Sequence, residues 1–209
     1  MIMARKKKTG NLTDPEKIAS LFNEDAVMLF PTDTVVGLGC RFDSENSISR
    51  IREMKGIKTK NPLAVLISSM EDLDRLKMRK SRVFNRLTDK MWPGGLTVVL
   101  SSEQRYACCG EGNTLGLRMP DADLMRKIII MAGTPIAATS ANFHGAPPPA
   151  RIEDVDKKIK EKVDYILDLP IKGLGVPSTV VKIEAGEAKV IREGAISIEE
   201  INEVLKGTA

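Results

Sequence analysis

The 209-residue sequence is poor in aromatics, at 4%, and has three cysteines, one histidine and one tryptophan. An odd cysteine count with an adjacent pair, Cys108 and Cys109 beside a distant Cys40, is not a disulfide framework. It suits a reducing cytosol and predicts a cytoplasmic protein. A single His144 leaves too few ligands for a Cys/His zinc site, and nothing near it supports a nucleophile–histidine triad. No apolar run approaches the ~20 residues that cross a bilayer, so no membrane is expected. After Met1 to Met3 the chain turns basic with no apolar stretch, unlike a secretory signal.

What is present is ordinary for a globular chain: 42% hydrophobic and 29% charged residues. Net charge is +4, and the first ten residues hold four bases (Arg5, Lys6, Lys7, Lys8) and no acids. The remaining 199 residues balance at 28 bases and 28 acids, so the basic character belongs to the tail. Such a tail is either a solvated end or a contact for RNA phosphates. With no internal repeat or low-complexity linker, residues 1–12 read as a basic flexible tail and 13–209 as one domain.

The pattern predicts interspersed strands and helices. Strands are expected at 26–30, 63–67, 96–100, 114–119, 136–139 and 165–169, with a hairpin of 179–183 against 188–191. Helices are expected from a Ser44 cap to Met54, at 70–76, at 80–91, from an Asp121 cap to Ala132, at 152–163, and from a Ser197–Glu200 capping box to Leu205. Gly133 closes the helix before it. The class is α/β with a mixed, twisted sheet.

Polar residues gather where these strands end, the place where open α/β sheets bind ligands. In FPTDTVVGLG, residues 30–39, Thr32, Asp33 and Thr34 offer hydroxyls and a carboxylate, and Gly37 and Gly39 permit close backbone approach. The same residues also suit a turn with side-chain-to-backbone bonds. Lys55, Lys58 and Lys60 before Asn61 and Pro62 suit a triphosphate or a helix C-terminus. Ser140 and Asn142 suit a phosphate or a helix cap, and Arg118 is a planar fork fit for a carboxylate. Ser178 and Arg192 complete the set as strand-end groups. Together they indicate an anionic ligand without naming a reaction.

The order of strings is more specific. FPTDTVVGLG, NPLAVLI behind the lysines, WPGGLTVVL, LGLRMPD, PIAATSAN, PSTVV and VIREGAI follow one another from about residue 25 to 205. Together they resemble the YrdC/YciO family, whose members include threonylcarbamoyl-adenylate synthases. The resemblance implies a YrdC-like twisted mixed sheet with flanking helices around a deep, positively lined cavity. It implies a nucleotidyltransferase that joins L-threonine, bicarbonate and ATP, with Mg²⁺, into threonylcarbamoyl-AMP and pyrophosphate. A partner complex then transfers the threonylcarbamoyl group to adenosine next to the tRNA anticodon. No protein nucleophile is implied. Thr32, Arg118 and Ser178 would hold threonine, while Lys55, Lys58, Asn61, Thr114, Ser140, Asn142 and Arg192 would line ATP and its phosphates. The family's Lys-x-Arg-Pro pattern departs here, because Ile57 replaces the arginine and Lys58 stands at the proline position. Leu66 stands where some synthases carry histidine, Pro148 where they carry serine, Lys182 where an acid is frequent and Glu193 where proline is usual. The alternative is a YciO-like protein that binds tRNA or double-stranded RNA without efficient synthesis.

Overall fold

The computed structural model describes residues 12–57 and 61–207. Lys58 and the basic residues 5–8 lie outside the described residues. Among the described residues, nine strands form one sheet: β1 (Met28–Phe30), β2 (Gly37–Arg41), β3 (Ala64–Leu66), β4 (Leu96–Ser101), β5 (Thr114–Arg118), β6 (Ile136–Ser140), β7 (Tyr165–Ile166), β8 (Thr179–Glu184) and β9 (Glu187–Arg192). Their order is β7-β1-β2-β6-β3-β5-β4-β8-β9. The pairs β1/β7, β3/β5 and β4/β8 are parallel and the rest antiparallel, so the expected mixed sheet is present.

Seven α-helices among the described residues flank it: α1 (Pro15–Asn23), α2 (Glu45–Lys55), α3 (Glu71–Arg75), α4 (Arg82–Met91), α5 (Asp123–Ala132), α6 (Lys157–Lys160) and α7 (Ile198–Lys206). Local chemistry sets several ends. The Ser44 side chain accepts from Ser47 N–H to start α2, and Gly56, at φ 68°, ends it in the left-handed region. The Ser197–Glu200 capping box starts α7. Two expectations need correction. Asp121 does not cap α5; Ala122 holds that position with no side-chain bond, and Asp121 sits one residue too early. The helix expected over 152–163 breaks into a 3₁₀ turn, Ile152–Asp154, and the short α6, because Asp156 accepts from Lys158 N–H and starts a new turn. The strand expected at 165–169 forms ladder pairs over Tyr165–Ile166, and a bridge from Leu12 to Leu167 follows. One helix and one strand, α1 and β2, escaped the sequence reading.

Strand alternation divides the core between the two faces of the sheet. On one face, Leu29, Val65, Val98, Leu115, Leu117 and Val181 pack with Ile48 and Ile51 of α2, Phe84 and Leu87 of α4 and Ile201 of α7. On the other, Met28, Phe30, Leu66, Ile136 and Ala138 pack with Ile18 and Phe22 of α1 and Met125, Ile128 and Ile129 of α5. Full burial of each of the larger side chains contributes about 1.5–3 kcal/mol. This second cluster draws nothing from β4, β5, β8 or β9. The residues there that alternate with Val98, Leu117 and Val181 are therefore left facing a hollow rather than a helix.

Candidate functional site

The hollow is a cavity of about 260 Å³. Its floor is the register row Ala138–Ala64–Gly116–Val99, which crosses β6, β3, β5 and β4. Three of those four residues are alanine or glycine, so little side-chain volume rises from the sheet. Leu66, Thr97 and Val180 extend this floor, and Thr32, Thr34, Arg118, Thr114, Ser140, Ser178 and Arg192 add polar groups around it. Among the described residues, the two charged ones lining the cavity are both arginines.

The turn between β1 and β2 supplies Thr32 and Thr34. It is held from two sides: Val36 N–H donates to Pro149 carbonyl at 3.0 Å, and Leu174 and Gly175 N–H donate to Asp33 and Thr34 carbonyls at 3.0 and 2.8 Å. The segment 145–151 is thus tied to the turn at Pro149. Gly37 and Gly39 serve packing here. A Cβ at Gly37 would stand 2.6 Å from the Phe30 ring, and one at Gly39 would stand 2.7 Å from Ala137 carbonyl and 3.0 Å from that ring. The close backbone approach expected for a ligand is made by Phe30, although Gly37 also borders the cavity.

Arg118 ends β5 and is buried. Its Nε donates to Gly94 carbonyl at 3.0 Å, Nη1 to Thr34 Oγ1 at 2.6 Å and Nη2 to Asp33 Oδ1 at 2.6 Å. Burial pushes the guanidinium below its ordinary range, and the Asp33 carboxylate opposes that shift. Arg192, at the end of β9, is more exposed and donates to Ser178 carbonyl at 2.7 Å. No ion pair of Arg192 occurs among the described residues. Ser178 Oγ and Thr97 Oγ1 are hydrogen-bonded at 2.8 Å. An acid-free cation beside a neutralised one, ringed by hydroxyls, can receive a carboxylate or a phosphate.

Of the residues singled out in the sequence, Thr32, Thr114, Arg118, Ser140, Ser178 and Arg192 are brought together on this cavity. Lys55, Asn61 and Asn142 do not line it. Lys55 is buried behind the wall, where Nζ donates to the carbonyls of Ser140 and Asn142, each at 2.5 Å, and lies 3.4 Å from Asn142 Oδ1. Burial lowers its ammonium from 10.5 to about 8. Asn142 Nδ2 braces the following turn through Phe143 and Ala146 carbonyls. Both side chains thus hold the end of β6, which carries Ser140. Asn61 carbonyl accepts from Arg52 at 3.3 Å. Among the departures, Leu66 lines the cavity, Lys182 pairs with Glu184, and Glu193 accepts from Ile198 N–H at the start of α7.

Sequence reasoning missed Thr97 and the partnership of Asp33 and Thr34 with Arg118. Thr97 carried a signal, as a polar residue alternating with Leu96 and Val98 in a buried strand. The Arg118 contacts span 84 and 85 residues and had none.

A sheet of this order, with one face half covered by helices and the rest hollow, defines a fold class of known proteins. The family model for Sua5, YciO and YrdC proteins, described as telomere recombination, matches residues 20–194. The chain belongs to that family. It is 34% identical over 189 residues to the threonylcarbamoyl-AMP synthase of Pyrococcus abyssi, covering 90% of this chain and 56% of that protein. It is also 34% identical over 199 residues to the Bacillus subtilis protein of the same name, covering 92% and 57%. The chain thus spans little more than half the length of these curated relatives. The crystal structure of P. abyssi Sua5 complexed with L-threonine superposes with a TM-score of 0.85 over 92% of this chain and 57% of that one. Escherichia coli YciO, at 21% identity, shares the fold with a TM-score of 0.79 over 90% and 92%.

Proposed function

We propose that this chain is a nucleotidyltransferase that makes threonylcarbamoyl-AMP and pyrophosphate from L-threonine, bicarbonate and ATP. The product feeds threonylcarbamoyladenosine formation in tRNA by a transfer complex, in the cytoplasm. The observation that carries the reading is the buried Arg118 fork beside the acid-free Arg192 on one small-residue floor. Relatives at 34% identity bear the synthase name, and one was crystallised with L-threonine, which supports the same assignment.

In this reading Arg118 receives the threonine carboxylate, with Ser178 beside it. Thr114, Ser140 and Arg192 face the nucleotide and its phosphates, and Lys58 joins them from outside the described residues. Lys55, Asn61 and Asn142 act from behind, by fixing the walls. The threonine amine attacks carbon dioxide released from bicarbonate and gives up a proton. The resulting carbamate oxygen attacks the α-phosphorus, and the bond to the leaving pyrophosphate oxygen breaks. The chain's own residues orient the reactants and offset negative charge.

Mg²⁺ belongs to the substrate, as MgATP. Among the described residues no group of three or more His, Cys, Asp or Glu could hold a metal ion, and the Asp33 carboxylate is already paired with the cavity-lining Arg118. A resident protein metal centre does not fit these residues. The test is pyrophosphate release with each reactant omitted in turn. Release that needs both threonine and bicarbonate is expected; release indifferent to threonine would overturn the reading. RNA contact through the basic tail is proposed as an adjunct to that activity.

A further inference from the structure

A threonine hydroxyl has one proton and two lone pairs. At Thr32 all three are used inside the turn. Its Oγ1 donates to Val35 carbonyl at 2.7 Å, accepts from Thr34 N–H at 3.2 Å and stands 3.1 Å from Thr34 Oγ1. Because a carbonyl can only accept, the proton of Thr32 belongs to Val35. The Thr34 hydroxyl must then donate to Thr32. Thr34 Oγ1 itself accepts from Arg118 Nη1, since a guanidinium can only donate. The hydrogen bonds therefore run one way, from Arg118 through Thr34 and Thr32 to the Val35 carbonyl.

Two consequences follow for a ligand. Thr32 has no hydrogen-bonding capacity left to offer, and Thr34 is fully buried at 0% exposure. Arg118 has five N–H groups, of which three are held by Gly94, Thr34 and Asp33. One N–H remains on each terminal nitrogen, in the plane that those three contacts fix.

We propose that Thr32, Thr34 and Asp33 are positioning residues that aim the Arg118 fork at an amino-acid carboxylate, and that Thr32 does not read the substrate side chain. The proposal rests on the amino-acid-binding part of the reading above. It assigns the cavity's discrimination at this turn to the carboxylate, a group common to every α-amino acid. Damage to the chain of hydrogen bonds should weaken a carboxylate ligand and leave its amide counterpart almost unaffected.

The test compares L-threonine with L-threoninamide, which keeps the amine and side chain and lacks the carboxylate. Calorimetric Kd values without ATP are measured for the wild type, Thr32→Val, Thr34→Val and Thr34→Ser, with folding checked by circular dichroism. The wild type should favour L-threonine by roughly tenfold or more, the worth of a charge-assisted contact. That preference should collapse towards unity in both valine variants and survive in Thr34→Ser, which keeps the hydroxyl. A preference unchanged in the folded valine variants would overturn the proposal. If those variants do not fold, equal affinity of the wild type for the two ligands overturns it instead. A wild type that binds neither ligand overturns both the proposal and the reading beneath it. Discrimination as expected without pyrophosphate release supports the proposal and overturns the synthase reading alone.

Discussion

Removing Arg118 should destabilise the fold as well as the site. Its side chain is 7% exposed, that of Asp33 is 13% exposed, and the two stand 2.6 Å apart. Arg118→Met leaves the Asp33 carboxylate shielded from water without a counterion and the Gly94 carbonyl without its donor. Breaking such a pair from one side costs about 3–5 kcal/mol. At roughly 2–4 °C per kcal/mol for a chain of this size, Tm should fall by about 6–20 °C. Asp33→Asn keeps an acceptor for Nη2 and removes only the charge, so its own cost is about 1–3 kcal/mol. The double variant holds no buried charge at the pair and should be more stable than Arg118→Met alone. Thermal and urea unfolding of the four proteins gives the coupling directly, expected at about 2 kcal/mol or more. Equal stability of wild type and Arg118→Met, or additive single effects, would refute the idea that this pair holds the turn.

Three further outcomes are expected. Burial brings the Lys55 ammonium down to about 8 from 10.5, so the folded state binds that proton less tightly than the unfolded one. The charge therefore costs stability at pH 8 and below, and the cost is relieved as pH rises to 10.5, by up to about 3 kcal/mol. Urea midpoints across that window should rise for the wild type relative to Lys55→Met; parallel curves would contradict the assignment. Gly116→Val should fold, since a Cβ there meets Thr97 Cγ2 at 3.4 Å and nothing closer, yet its methyls would fill the cavity floor. Threonine binding should drop by roughly tenfold or more with Tm nearly unchanged. Gly39→Ala should do the reverse, lowering Tm through its clash with Ala137 carbonyl at a cost of about 1–3 kcal/mol, with threonine affinity kept in the folded fraction.

What was legible in the sequence was the chemistry that acts between neighbours. Ser44 starts α2, Gly133 ends α5, and Ser197 with Glu200 starts α7, because caps work over three or four residues. Interruptions inside apolar runs were harder to see. Asp156 broke an expected helix by capping its own short turn, and β2 hid inside a motif read as a ligand loop. Its glycines are explained by the Phe30 ring, a cross-strand neighbour that no spacing rule reveals. The site was half legible for the same reason. Strand-end hydroxyls and arginines did converge on one cavity. Lys55 and Asn142, which the resemblance assigns to ATP, lie outside the lining of this cavity, and Lys55 Nζ sits on the carbonyls of residues 85 and 87 positions away. Asp33 looked like one polar residue of a turn, and its role depends on an arginine 85 positions along the chain.

The most direct measurement follows the carbon itself. The protein is incubated with MgATP, L-threonine and carbon-13 bicarbonate, and the nucleotide products are weighed by mass spectrometry. Synthesis predicts threonylcarbamoyl-AMP carrying the heavy carbon, formed in step with pyrophosphate and absent when threonine is withheld. ATP left intact by a folded, threonine-binding protein, beside an active relative run in parallel, would contradict the synthase assignment.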